Sequence, residues 1–146
     1  MKEAEDKLTS GIQALATEEG TITTENLAKE IGMSGIYNKV KYCLDKEKVF
    51  LNPKLSLAKF SIIVGTNTSY LSGVVNGCFS CNLKTLVNRY RIEYAKELLV
   101  SQKCNLHEIP RLCGFSSRSA FYAAFQRLEG KSPMAYLRSV NAYKLK

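Results

Sequence analysis

Apolar residues along the chain return at intervals of three and four far more often than two, a pattern that predicts helices throughout and little strand. Leu8, Ile12, Leu15 and Ala16 place an amphipathic helix over residues 4–18, broken at Gly20. Thr24 caps a short helix to Ile31 that Gly32 ends, and Ile36, Val40, Cys43, Leu44 and Val49 mark the next over 35–49. Asn52-Pro53 is a turn. Leu55, Leu57, Ala58, Phe60, Ile62 and Ile63 then make a compact, mostly buried helix. Gly65-Thr66-Asn67 punctuates, with Asn67 as N-cap, and Tyr70, Leu71, Val74 and Val75 carry a helix to about Gly77. A long helix from Leu83 to Ser101 buries parts of Leu86, Val87, Tyr90, Ile92, Tyr94, Ala95, Leu98 and Leu99, more than one narrow stripe.

The second half repeats the plan. Asn105-Leu106-His107-Glu108 has the look of a capping box and starts a helix to Cys113. Pro110, as its fifth residue, forfeits a bond to Leu106 and distorts the helix start. Gly114 stops that helix, and Ser116 or Ser117 caps the next, whose stripe is Phe121, Ala124, Phe125 and Leu128. Gly130 ends it. Ser132-Pro133 opens a last helix over 133–143 that buries Met134, Leu137 and Val140. Residues 55–76 and 105–127 therefore form a degenerate repeat: a short apolar helix, a glycine, then a capped helix with a polar face. Two helix-turn-helix units joined by one helix is the architecture this predicts.

Charge sharpens that picture. The 146 residues carry a net charge of +8, unevenly placed. Residues 1–50 hold seven Lys/Arg against nine Asp/Glu, while 51–146 hold fourteen against four. Such asymmetry favours a polyanion as partner of the second part. No apolar run is long enough to span a membrane, and the start, Met1-Lys2-Glu3-Ala4-Glu5-Asp6, is too acidic for a secretory signal, so a cytoplasmic protein is expected. The five cysteines are then expected as thiols. Cys78-x-x-Cys81 and Cys104-x-x-His107 imitate zinc-ligand spacing. The intervening helix spans ~28 Å by rise and would hold the pairs apart, so no metal or other cofactor is expected. The sole histidine, His107 beside Glu108, belongs to no nucleophile–base–orienter set, which argues against an enzyme.

Residues 53–138 closely resemble the DNA-binding domain of the AraC/XylS family. The resemblance is carried by Leu55-Ser56-Leu57-Ala58, by Gly65-Thr66-Asn67-Thr68-Ser69-Tyr70-Leu71-Ser72 and by Asn88-Arg89-Tyr90-Arg91-Ile92-Glu93-Tyr94-Ala95-Lys96-Glu97-Leu98-Leu99. The stretch from Gly114-Phe115 to Tyr136 completes it and is the most specific. It implies an all-α, homeodomain-like fold of seven helices, with the first helix-turn-helix at 55–77, a connecting helix at 83–101 and the second helix-turn-helix at 105–128. Residues 34–146 would form this domain, and 1–33 an additional N-terminal helical segment or linker. Within the latter, Leu27 to Ser34 looks like the front half of a further helix-turn-helix in acidic surroundings. The resemblance also implies a sequence-specific transcription regulator, often an activator, whose partners are double-stranded promoter DNA and RNA polymerase. The chain is too short to add the effector-binding barrel of larger members, so it is either a stand-alone regulator or a piece of a longer protein. Its oligomeric state stays open.

Carried over by position, the base-reading sites fall on Arg118, Ser119, Tyr122 and Ala123 in the second unit and on Ser69, Ser72 and Gly73 in the first. Asn67, Thr68, Asn76, Ser117, Gln126, Arg127 and Lys131 are the candidates for the DNA backbone. Arg118 suits guanine, because a guanidinium can donate to O6 and N7 together. Lys84, Arg89, Arg91, Lys103, Arg111 and Arg138 are further phosphate candidates, with a carboxylate inside the domain as the alternative partner of Arg91. One departure stands out: family members commonly carry Arg or Lys where Gly73 and Asn76 stand, and residues 66–82 have no charged side chain. The second unit is expected to supply most specificity. The competing reading is a protein-interaction module that docks a polymerase subunit or partner regulator and binds DNA weakly.

Overall fold

The computed structural model describes residues 24–144, with side chains from Met33 to Ala142. Among them are seven α-helices and no strand: α1 (Thr24–Asp45), α2 (Leu57–Val64), α3 (Thr68–Phe79), α4 (Leu83–Ser101), α5 (Ile109–Leu112), α6 (Arg118–Glu129) and α7 (Pro133–Lys144). A 3₁₀ turn, Val49–Leu51, follows α1. The helix expected over residues 4–18 lies outside the described residues.

The chain divides into two compact units. Of the described residues, the first holds those up to Glu47 and Ser56–Leu83; the second holds Lys48–Leu55 and those from Lys84. In the first, α1, α2 and α3 pack on one another. Tyr37, Val74 and Cys78 form a buried cluster against which Met33, Ile36, Tyr70 and Phe79 pack, with the Tyr37 and Phe79 rings stacked at 5.2 Å. In the second, Ile92, Ala95 and Leu99 of α4 meet Ile109, Cys113, Phe115, Phe121, Ala124 and Phe125. Phe121 and Phe125 are fully buried, and burying each such ring stabilises the unit by ~1.5–3 kcal/mol.

The caps form where local chemistry calls for them. The Ser56, Asn67, Ser117 and Ser132 side chains each accept a backbone N–H three residues on, from Lys59, Tyr70, Ala120 and Ala135. Ser117 is thus the cap of α6, and Pro133 opens α7 at its first position, where a missing N–H costs nothing.

Four expectations need correction. Gly32 does not end a helix: α1 runs unbroken from Thr24 to Asp45 and stops short of Val49, so Leu27 to Ser34 contains no turn and is not half of a helix-turn-helix. A mid-helix glycine costs only ~1 kcal/mol, which the rest of a 22-residue helix outweighs. Ile62 and Ile63 are 79% and 49% exposed, because α2 buries Phe60, Ser61 and Val64 instead. Pro110 is the second residue of α5, not the fifth; residues before Ile109 form turns with Glu108 N–H donating to Asn105 O and Ile109 N–H to Leu106 O. Proline there loses no helical bond. Met134 is 45% exposed, with Pro133 the buried residue at that helix start.

Candidate nucleic-acid interface

The two capped helices, α3 and α6, match residue for residue. Each has 12 residues, an N-cap whose side chain accepts from the third helical N–H, and a C-cap in the left-handed region, Ser80 at φ 59° and Gly130 at φ 74°. Leu71, Val74 and Val75 are buried in α3, and Phe121, Ala124 and Phe125 are buried at the same positions in α6. The outward positions therefore correspond too, because a helix turns ~100° per residue and the buried stripe sets its phase. Thr68 matches Arg118, Ser69 matches Ser119, Ser72 matches Tyr122, Gly73 matches Ala123, Asn76 matches Gln126 and Gly77 matches Arg127.

On α6 the structure brings Arg118, Ser119, Tyr122, Ala123, Gln126 and Arg127 onto one exposed arc. Ser117 stands exposed at its head and Lys131 just past its C-cap, both at the ends of the same helix. Tyr122 is 40% exposed and its ring packs edge-on against Phe121 at 5.2 Å, so the buried stripe supports the outward ring. The cap uses the Ser117 hydroxyl oxygen as acceptor and leaves its O–H as a donor.

On α3, Thr68, Ser69, Gly73 and Asn76 are exposed and Ser72 is half-buried. The Asn76 amide turns back on its own helix: Nδ2 donates to Ser72 O at 2.8 Å and to Ser72 Oγ at 3.3 Å. Asn67 spends Oδ1 on the cap and keeps its amide donors. A methyl group added at Gly73 or Gly77 would meet nothing within 4 Å, so the fold does not require glycine at either place. The uncharged stretch is longer than the helix itself: no Asp, Glu, Lys or Arg occurs between Lys59 and Lys84.

Arg91 makes contacts that differ from the carboxylate pairing expected within the domain. Among the described residues it pairs with no carboxylate; Nε donates to Phe50 O at 2.7 Å and Nη2 to Asn52 O at 2.9 Å. Its guanidinium also lies over the Phe115 ring, 5.5 Å from the centroid. Burial pulls its pKa below the ordinary value. Burial also pushes the Cys113 thiol up to about 12, which keeps it protonated and apolar in the core. The partners of Arg91 lie 41 and 39 residues back along the chain, which is why no local pattern pointed to them. Lys84, Arg89, Lys103, Arg111 and Arg138 are all exposed. None of the five cysteines is in a disulfide, and among the described residues no three His, Cys, Asp or Glu side chains gather as a metal site would need. No described helix is long and apolar enough to cross a membrane.

The chain is similar to known proteins. The family model described as a helix-turn-helix domain matches residues 61–139. The probable transcriptional regulator LumQ of Photobacterium leiognathi is 29% identical over 129 residues, which covers 88% of this chain and 49% of LumQ. The porin thermoregulatory protein EnvY of Escherichia coli is 32% identical over 87 residues, 60% of this chain and 28% of EnvY. The chain thus spans about half or less of the length of these relatives. Among solved structures, the C-terminal domain of AraT, a response regulator from Geobacillus stearothermophilus, superposes with a TM-score of 0.64 at 27% identity, covering 72% of this chain and 84% of that one. The C-terminal domain of the response regulator yesN from Fusobacterium nucleatum shares the fold at a TM-score of 0.59 and 24% identity, over 75% of this chain and 97% of that one. With a family match over more than half its length and two capped helices in the same register, the chain belongs to the AraC/XylS family of helix-turn-helix transcription regulators.

Proposed function

We propose that this chain binds promoter DNA sequence-specifically as a transcription regulator, with α6 as the main reading helix in one major groove and α3 as a weaker second grip in the next. The observation that carries the reading is the shared register of α3 and α6, which turns polar side chains outward on both and arginine on α6 alone. In this reading Arg118, Ser119, Tyr122 and Ala123 meet base edges. Ser117, Gln126, Arg127 and Lys131 meet the backbone beside them. Ser69, Ser72 and Gly73 approach bases in the other groove, anchored by Asn67, Thr68 and Asn76. RNA polymerase is the further partner such a regulator would engage.

The test is selection of bound sequences from random duplexes, followed by titration of the best site. Arg118→Ala is expected to cost ~1–3 kcal/mol there and to relax the preference at one base position. Binding that is indifferent to sequence at moderate salt would rule the specific reading out.

A second reading is favoured by one observation. Ile62 and Ile63 are exposed in a stretch without charge, as suits a surface that docks a polymerase subunit or partner regulator. Co-purification of such a partner without DNA, and its loss in Ile62→Lys, would support that reading.

A further inference from the structure

We propose that Arg91 is a positioning residue for the reading face of α6, acting through Phe115. The proposal rests on the DNA-binding reading above and adds a residue that touches no DNA. Two hydrogen bonds anchor it and three ring contacts link it to the surface. The guanidinium is held at two points by Phe50 O and Asn52 O, at 2.7 and 2.9 Å. That fork fixes its plane over Phe115. Phe115 packs edge-on against Phe121 at 5.6 Å. Phe121 packs edge-on against Tyr122 at 5.2 Å, and Tyr122 is exposed on the α6 arc.

Gly114 completes the device. Its φ is +96°, and an added Cβ would stand 2.3 Å from Phe50 O and 3.0 Å from Arg91 Nε. Only glycine lets the Phe50 carbonyl and Leu51 Cα lie against the helix-turn-helix turn, beside the Arg91 Nε that donates to Phe50 O. Lysine cannot replace the arginine, since a single ammonium lacks the planar fork that serves two carbonyls and stacks on a ring.

The experiment compares the full chain with Arg91→Gln, Arg91→Lys and Phe115→Leu on the selected duplex, in salt titrations and against single-base variants of the site. Helix content by circular dichroism selects the variants that keep the fold. A positioning role predicts that the preference at the base pair under Tyr122, typically ~5- to 150-fold for a good contact, collapses toward parity. The slope of log K against log salt stays unchanged, and Arg91→Lys fails to rescue. The Tyr122 ring resonances should shift in Arg91→Gln without DNA. A salt slope reduced by ~0.9 with specificity intact would make Arg91 a phosphate contact and overturn the proposal. Wild-type specificity in Arg91→Lys, or in both other variants, would overturn it too. Should Arg91→Gln unfold, Phe115→Leu alone decides by the same base-preference readout. Absence of sequence-specific binding by the wild type would instead overturn the reading beneath it.

Discussion

A methyl group on Gly114 has nowhere to go, while one on Gly73 has open space on every side. Gly114→Ala forces a side chain into a left-handed backbone and drives it onto the Phe50 carbonyl. It is expected to cost roughly 2 kcal/mol or more. Gly73→Ala removes only a helix-propensity penalty and should stabilise by up to ~1 kcal/mol. Opposite shifts of the urea midpoint in the two variants are the check. The sequence showed Gly114 as a helix stop but not as a point of close approach, because the backbone atoms that approach it come from residues 50 and 51, more than sixty positions earlier. The same limit hid the partners of Arg91. The caps at Asn67 and Ser132, and that of α6 to within the pair Ser116 or Ser117, were legible for the converse reason: each bond closes within three residues.

At the scale of elements, the unequal pair invites a gain of function. Gly77 occupies on α3 the place of Arg127 on α6, and the site has room for a side chain. Gly77→Arg should tighten binding and steepen the log K against log salt slope by about one, as a new phosphate contact would. A slope that does not move would take this face of α3 away from the DNA. Packing between elements has its own titration. Lys96 of α4 bonds Glu93 at 3.0 Å, pairs with Glu129 at the end of α6, and lies over the Tyr136 ring of α7. Burial draws its pKa down, but the hydrogen bonds to Glu129 and Glu93 outweigh that and hold it above the ordinary 10.5. The clamp's contribution is therefore complete below pH 10.5 and fades as pH climbs through the raised value. Glu129→Gln should cost about 1 kcal/mol near neutrality, and the gap from wild type in unfolding experiments should narrow above pH 10.5. Helix existence was readable from periodicity; which side of α2 is buried was not. Six apolar residues in nine positions leave the phase of a short helix undetermined, and only packing chose Phe60 and Val64 over Ile62 and Ile63.

For the molecule as a whole, the division of charge follows the two units. Lys48–Leu55 and the residues from Lys84 onward hold fourteen Lys/Arg against four Asp/Glu. If binding neutralises about six phosphates, affinity should fall roughly a thousandfold between ~50 and ~200 mM salt. Charge-removing substitutions in the second unit should flatten that dependence, measured by fluorescence anisotropy, while uncharged substitutions on α3 leave it alone. The duplicated plan was legible from the chain because its punctuation recurs. The way the chain weaves was not. Lys48–Leu55 lies in sequence between two helices of the first unit yet packs in the second. A duplication normally leaves modules that can be cut out and swapped, and this one does not. A fragment starting at Lys84 would carry Arg91 without its carbonyls and a core without Phe50, which is 3% exposed and rests against the rings of Tyr90 and Tyr94. Chimeras that exchange the second reading unit between relatives must therefore graft two separate pieces of chain, and a single crossover point at the long helix would inherit a mismatched lining.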